Sequence, residues 1–158
     1  MRRDPSISYR RVLPHWRDAG RTYFVTWRLH HRQPRLAAAE RGLMTAALRY
    51  FDRDRYELLS FVVMDDHVHV LFTPADAYRL EELTHSWKSY SAHQLCTEHG
   101  RSAPVWQAES YDHVVRDERA LRETAQYIIA NPERRWPWMT EYPWLGGRLI
   151  EGPADSVS

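Results

Sequence analysis

Two apolar runs separated only by a pair of aspartates constrain the fold of this chain more than any other feature. The runs from Tyr56 to Met64 and from His67 to Thr73 are rich in β-branched and aromatic residues, and Pro74 ends the second. Asp65 and Asp66 lie between them and are typical turn residues. The spacing therefore predicts two antiparallel strands joined as a hairpin.

The periodicity of apolar residues elsewhere predicts the remaining elements. They are a strand at 23–30, a helix at 36–51, a helix from about 79 to 98, a strand at 111–116 and a helix at 118–130. Gly100 is a predicted helix stop, Asp117 a predicted N-cap, and Asn131 before Pro132 a predicted helix end. This order predicts an α+β, ferredoxin-like βαββαβ fold, an antiparallel sheet with helices on one face plus an added C-terminal helix.

Length and composition indicate one domain. The chain has 158 residues, of which 43% are hydrophobic, so it can bury a core of its own. We expect a basic N-terminal segment at 1–20 and an irregular tail at 136–158. Cys96 is the only cysteine, which excludes an intramolecular disulfide and favours a reducing, cytoplasmic location. No segment has the pattern of a signal peptide or of a membrane span.

The net charge is only +1, but the basic residues are almost all of one type. Lys88 is the only lysine, and every other cationic side chain is an arginine. Arginine suits bidentate contacts to phosphate and stacking on bases, but a GC-rich genome would produce the same bias without any function.

The second strand of the hairpin contains a pair of histidines. Residues two apart on a strand share a face, so His67 and His69 point to one side while Val68, Val70 and Phe72 point to the other. If the helices cover the apolar side, the two imidazoles lie on the open face, close enough to ligate one divalent metal. The alternative is that they merely decorate a half-exposed strand.

The last helix carries the groups that such a site would still need. Tyr127 and Asn131, at positions i and i+4, place a phenol and a carboxamide on one helix face, while Ile128 and Ile129 turn inward. Each also has an ordinary interpretation, Tyr127 as an amphipathic core residue and Asn131 as a helix-ending residue before a proline.

Three segments now carry a family resemblance. VVMDDHVHVLF, VWQAESYDHVVRDERAL and YIIANP occur in that order. With this order and spacing the chain resembles the REP-associated tyrosine transposases, bacterial members of the HUH superfamily of single-strand nucleases, over roughly residues 9–136. It departs from them at two places. At Asp65 and Asp66 the family usually has Pro-Asn, and this difference bears on local charge and metal preference. The sequence after YIIANP also differs.

The resemblance implies a metal-dependent endonuclease and strand transferase that acts on single-stranded, hairpin-forming REP-like DNA. It implies that Tyr127 is the nucleophile that forms a 5′-phosphotyrosine, leaving a free 3′-OH that can attack back without ATP. It further implies that His67 and His69 bind Mg²⁺ or Mn²⁺, with Asn131 as a third ligand through its amide oxygen. The segment containing Trp106, Tyr111 and His113 would support the site.

The sequence is less informative about which residues bind DNA and about whether the protein is a monomer or a dimer. Lys88 is expected at the edge of the site on a phosphate, unless it is a solvated helix lysine. The residues that could bind DNA phosphates are Arg10, Arg11, Arg28, Lys88, Arg116, Arg134 and Arg135. The resemblance favours a monomer acting in cis, with a helix-exchanged dimer as the alternative.

Two other functions compete with this interpretation. One is a catalytically silent protein of the same fold that binds hairpin nucleic acid. The other is a metal hydrolase that uses activated water on a small phosphoester, which gives Tyr127 no role.

Overall fold

The computed structural model of the protein describes residues 21–152. Its strands are β1 (Thr22–Leu29), β2 (Tyr56–Val63), β3 (His67–Pro74), β4 (Trp106–Val115) and β5 (Leu145–Gly146). Its helices are α1 (Ala38–Tyr50), α2 (Leu80–His99), α3 (Glu118–Arg135) and α4 (Arg148–Glu151). Arg10 and Arg11 lie outside the described residues, as does the whole of the basic N-terminal segment at 1–20.

The five strands form one antiparallel sheet in the order β4-β1-β3-β2-β5. The first four in that list have the order of a ferredoxin-like βαββαβ unit, so the predicted fold class is confirmed. The predicted hairpin is present as β2 and β3. Its register shifts between Leu58 and Ser60, and this bulge lets Leu58 and Phe61 both face the same core.

Helices α1 and α2 cover one face of the sheet, as the alternation of apolar residues requires. Val68, Val70 and Phe72 of β3 are fully buried there. Trp27 of β1 stacks on Trp87 of α2 with ring centroids 6.0 Å apart, which fixes the helix over the centre of the sheet.

Helix α3 covers the opposite face, so the face that carries the histidines is not open. Its residues Leu121, Ala125 and Ile128 are buried against Val62 and Leu71 of the sheet. This second core holds α3 against β2 and β3, and Asp117 caps its first turn by accepting a hydrogen bond of 2.8 Å from the Ala120 amide.

The predicted end of this helix is wrong. Helix α3 passes through Asn131 and Pro132 and continues to Arg135. Proline removes the hydrogen bond to the carbonyl four residues earlier, and its ring crowds that carbonyl. The following turn compensates, because Pro132 is buried and its carbonyl accepts a 2.7 Å hydrogen bond from the Trp136 amide. The first residues of β4 were also missed: the strand begins at Trp106, five residues before the predicted start.

The tail is not wholly irregular, contrary to expectation. Strand β5 pairs with the edge of β2, and α4 follows it. Arg41 of α1 stands over the Trp144 ring at 4.1 Å, and Tyr142 donates a 2.6 Å hydrogen bond to the Val63 carbonyl. Two- and four-residue elements are too short to show a periodicity, which is why the sequence did not reveal them. No helix within residues 21–152 has both the length and the apolar character of a membrane span.

Candidate active site

Helix α3 lies along β3 in a matched register. Tyr127 faces His69 with ring centroids 5.3 Å apart, and the Asn131 Oδ1 atom lies 3.2 Å from His67 Nε2. One turn further on, Arg135 lies 3.0 Å from Asp65. Four helical residues rise about 6 Å and two strand residues about 6.6 Å, so successive helix turns meet alternate strand residues. The predicted phenol, carboxamide and imidazoles are thus brought together.

Both ring nitrogens of His67 have a polar neighbour. Its Nδ1 lies 2.7 Å from Asp66 Oδ1, and because an ionised carboxylate can only accept, Nδ1 is the donor. In the neutral ring, Nε2 then carries a lone pair and faces Asn131 Oδ1, which is also an acceptor. Asn131 keeps that orientation because its Nδ2 donates a 3.0 Å hydrogen bond to the Tyr127 carbonyl. Two acceptors therefore converge where a cation fits between them.

His69 presents its other ring nitrogen toward the same place. Its Nδ1 forms a 2.7 Å hydrogen bond with Thr26 Oγ1, while its Nε2 is buried and has no hydrogen-bond partner among residues 21–152. Burial, with smaller contributions from the neighbouring His67 and Arg28, lowers the pKa of His69 to about 3. The imidazole is therefore neutral at physiological pH, the form that ligates a metal.

These residues fit a divalent cation. Two imidazole nitrogens and one amide oxygen converge, and the rings are fixed from behind by Asp66 and Thr26, as metal-bound histidines commonly are. The ring centroids of His67 and His69 are 4.6 Å apart. Within residues 21–152 no group of three histidines, cysteines or carboxylates forms a denser alternative. Three such protein ligands would leave coordination positions open for a substrate oxygen.

Tyr127 stands beside this cluster and is accessible to solvent. Its side chain is 43% exposed, and its ring makes an edge contact with Phe24 of β1 at 6.1 Å between centroids. The Arg134 guanidinium lies over the same ring, 4.9 Å from its centroid. The phenol is thus held by packing and by a cation while it can still be reached by a large substrate.

The two aspartates do more than form a turn. Asp66 and Asp65 make ion pairs with Arg35, at 2.7 and 3.5 Å, and Arg135 binds Asp65 at 3.0 Å. The hydrogen bond from His67, aided by the arginines, lowers the pKa of Asp66 to about 2. The acidic turn therefore ties the last turn of α3, and with it Asn131, to the start of β3.

The predicted phosphate-binding arginines take different positions. Arg28 is exposed and lies opposite His67 in the β1–β3 register, and Arg134 lies over Tyr127. Arg135 is engaged by the acidic turn, and Arg116 is exposed after the end of β4. Arg28 and Arg134 thus flank the cluster, and phosphate binding by all four stays a prediction.

Lys88 lies on the other side of the sheet. Its Nζ donates hydrogen bonds to the Gln107 and Ala108 carbonyls at 2.9 and 3.2 Å and lies 3.0 Å from Ser110 Oγ. Ser110 pairs with Trp27, whose side chain faces the α1 and α2 core. Burial lowers the pKa of Lys88. It fastens α2 to β4 away from the histidines, and its predicted phosphate contact stays a prediction.

The segment that was expected to support the site, with Trp106, Tyr111 and His113, has side chains on both faces of the sheet. Trp106 is buried in the core with α2, where its Nε1 donates to Ser91 Oγ at 3.0 Å. Tyr111 and His113 are exposed and lie opposite Thr26 and Phe24 of β1, so they share the face of the histidines.

Sequence reasoning missed three contributors to the site. Thr26 fixes His69, Phe24 packs against Tyr127, and Asp66 orients His67. Alternation along β1 placed Thr26 and Arg28 on the face away from the core, which was the available signal. Nothing in the sequence pairs Thr26 with His69, because only the β1–β3 register brings them together.

Comparisons with known proteins agree with this geometry. A family model described as transposase IS200 like matches residues 20–131. A REP-associated tyrosine transposase of Escherichia coli (strain K12) is 24% identical over 130 residues, covering 77% of this chain and 76% of that protein. The sequence-based resemblance to that group is thereby confirmed.

Two solved structures share the fold. The structure of a REP-associated tyrosine transposase bound to a REP hairpin superimposes with a TM-score of 0.66 and 23% identity, over 80% of this chain and 76% of that one. A putative transposase from Deinococcus radiodurans R1 gives a TM-score of 0.53 and 21% identity, over 68% and 88%. Because the family model spans both histidines, Tyr127 and Asn131, and more than half of the residues, the chain belongs to the IS200-like transposase family.

Proposed function

We propose that this protein is a metal-dependent endonuclease and strand transferase for single-stranded, hairpin-forming DNA, with Tyr127 as its nucleophile. The observation that carries the proposal is the register of α3 on β3, which sets Tyr127 beside His69 and Asn131 beside His67. The hairpin substrate is supported by the relatives, since one structural neighbour is described as bound to a REP hairpin.

The reaction is a transesterification at phosphorus. The Tyr127 oxygen forms a bond to phosphorus, the bond from phosphorus to the 3′ oxygen breaks, and the phenolic proton is transferred overall to that 3′ oxygen. The products are a 5′-phosphotyrosine and a free 3′-OH. Since one phosphodiester replaces another, a 3′-OH can reverse the step or join a different strand without ATP.

The chain's own residues meet three needs of this reaction. The contacts of Phe24 and Arg134 with the Tyr127 ring limit the orientations of that ring, which lowers the entropic cost of attack. Arg28 and Arg134 place positive charge on both sides of the cluster, where a phosphate would lie. His67, His69 and Asn131 would hold Mg²⁺ or Mn²⁺, which polarises a non-bridging phosphate oxygen as a Lewis acid.

The proposal is tested by trapping the covalent intermediate. Wild type, Tyr127→Phe and the matched control Tyr111→Phe are incubated with Mn²⁺ and labelled hairpin oligonucleotides taken from the flanks of the protein's own gene. Denaturing gels then separate covalent adducts from free DNA. We expect a metal-dependent adduct with wild type and Tyr111→Phe and none with Tyr127→Phe, which still binds the DNA.

Other results would redirect the assignment. Cleavage by Tyr127→Phe but not by Tyr111→Phe would make Tyr111 the nucleophile. Cleavage without an adduct would indicate a hydrolase that uses water. Binding without cleavage, across metals and oligonucleotides, would indicate a silent hairpin-binding protein of this fold.

A further inference from the structure

A cavity of about 250 Å³ lies at the His67 end of the site, between the end of β1 and the acidic turn. Two of its lining residues adjoin His67: Arg28 lies opposite His67 in the strand register, and Asp66 binds His67 Nδ1. His30, His31 and Gln107 also line it. The cavity is smaller than the about 300–1,000 Å³ typical of pockets that enclose drug-sized ligands, so its size suits one planar group.

The lining offers both stacking surfaces and hydrogen-bonding groups. The rings of His30 and His31 stack with centroids 4.3 Å apart, and His31 is exposed. Gln107 Nε2 donates a 3.2 Å hydrogen bond to the Leu29 carbonyl, and no residue within 21–152 donates to its Oε1. The Arg28 guanidinium makes no hydrogen bond or ion pair to any other residue in the same range. These groups match the flat faces and the mixed donors and acceptors of a nucleobase.

A bare phosphate suits the cavity less well. The Asp66 carboxylate forms part of the lining and is held there by Arg35 at 2.7 Å. The lining thus sets an acceptor carboxylate beside the Arg28 and Arg35 guanidinium donors, and this mixture matches a base edge, which presents both donors and acceptors, better than a phosphate, which only accepts.

The position of the cavity identifies which base it would receive. Tyr127 stands at the His69 end of the cluster, and the cavity lies at the His67 end, next to Arg28 and Asp66. In displacement at phosphorus the attacking and leaving oxygens lie roughly in line on opposite sides. The nucleoside that departs with the 3′-OH therefore lies on the side away from Tyr127, which is the side of the cavity.

We propose that this cavity binds the nucleobase immediately 5′ of the scissile phosphate and so contributes to the choice of cleavage site. This inference rests on the proposed function and extends it by assigning a specificity role to His31 and Gln107. The relevant contacts are formed by loop and edge-strand side chains, so they can be altered without touching the histidine pair or Tyr127.

The test combines an abasic substitution in the DNA with variants of the protein. The cleavage position is mapped with wild type, and the nucleoside on its 5′ side is replaced by an abasic residue. Initial rates of adduct formation are compared for wild type, Gln107→Ala, His31→Ala and His93→Ala. His93 is an exposed histidine of α2 and serves as the matched control.

We expect the abasic substrate to react at least about tenfold more slowly with wild type and His93→Ala, as loss of one stacked base predicts. With Gln107→Ala and His31→Ala the intact substrate should already be slow, and the abasic change should cost less than about threefold, because interactions through one contact are not additive.

Two results would overturn the inference while leaving the proposed function intact. One is a wild-type adduct rate that does not respond to the abasic change. The other is an undiminished abasic penalty in both pocket variants, which would show that the base is read elsewhere. Absence of an adduct with every oligonucleotide would overturn the proposed function together with this inference.

Discussion

The substitution Asp66→Asn tests how the acidic turn orients the site. It keeps the size of the side chain and an acceptor oxygen for His67 Nδ1, but it removes the negative charge that His67 and Arg35 bind at 2.7 Å each. We expect the variant to be less stable at neutral pH and to bind Mn²⁺ more weakly. Both effects have the same origin in the carboxylate. Its charge stabilises the folded state, and its hydrogen bond fixes the ring of His67 for metal binding.

The magnitude follows from the pKa of Asp66. A decrease from 3.8 to about 2 corresponds to a little over 2 kcal/mol at about 1.4 kcal/mol per pKa unit. Because 30% of the side chain is exposed, solvent screening reduces the expected loss to about 1 kcal/mol. Since the pKa is lower in the folded chain, this contribution is complete above about pH 4 and is lost as the pH falls toward 2.

Urea denaturation of wild type and variant at pH 7 and pH 3 measures the stability difference, and Mn²⁺ titration measures affinity. The difference in the free energy of unfolding should be about 1 kcal/mol at pH 7 and roughly half of that at pH 3. Mn²⁺ affinity should fall about 10- to 100-fold. Asp76→Asn is the control, because its ion pair with Arg21 is at the surface and the Asp76 side chain is 92% exposed.

Equal stability of Asp66→Asn and wild type at pH 7 would refute the assigned role of the carboxylate. A difference that grows on acidification would refute the sign of the pKa argument.

Three further predictions concern the core and the site. Because burial lowers the pKa of His69 to about 3, the unfolded chain takes up a proton that the folded chain excludes, so wild-type stability should fall as the pH drops from about 6.5 toward 3. His69→Gln should flatten that part of a urea-derived stability curve, and an unchanged slope would contradict the burial argument. Arg101→Met leaves the buried Glu40 carboxylate unpaired and should cost about 3–5 kcal/mol in thermal unfolding, whereas a loss under about 1 kcal/mol would show that Glu40 is solvated. Gly147→Ala should cost more than about 1 kcal/mol and loosen β5 in hydrogen exchange, because φ is +108° and an added Cβ would lie 2.6 Å from the Leu59 carbonyl oxygen; unaltered stability would mean that this loop rearranges freely.

The pattern of the sequence was most informative where a local period decides the structure. Alternation along β3 correctly separated His67 and His69 from Val68 and Val70, because the side-chain period of a strand is fixed by its pleat. The rule that proline ends a helix was misleading at Pro132. There, burial of the proline and the attachment of α3 to the acidic turn outweigh the lost hydrogen bond and the crowding by the proline ring.

The sequence by itself determined the α+β class, the hairpin, the pairing of two imidazoles on one strand face and the pairing of Tyr127 with Asn131 on one helix face. These are local properties, set by periods of 2 and 3.6 residues along the chain. Only the tertiary structure decided that α3 covers the histidine face, that Thr26 and Asp66 orient the two rings, and that Arg28 and Gln107 share a cavity. Those relations depend on strand order, on the β1–β3 register and on how α3 packs on the sheet. Each of them joins residues that are far apart in sequence, or neighbours whose contact is not specified by the period of a strand or a helix.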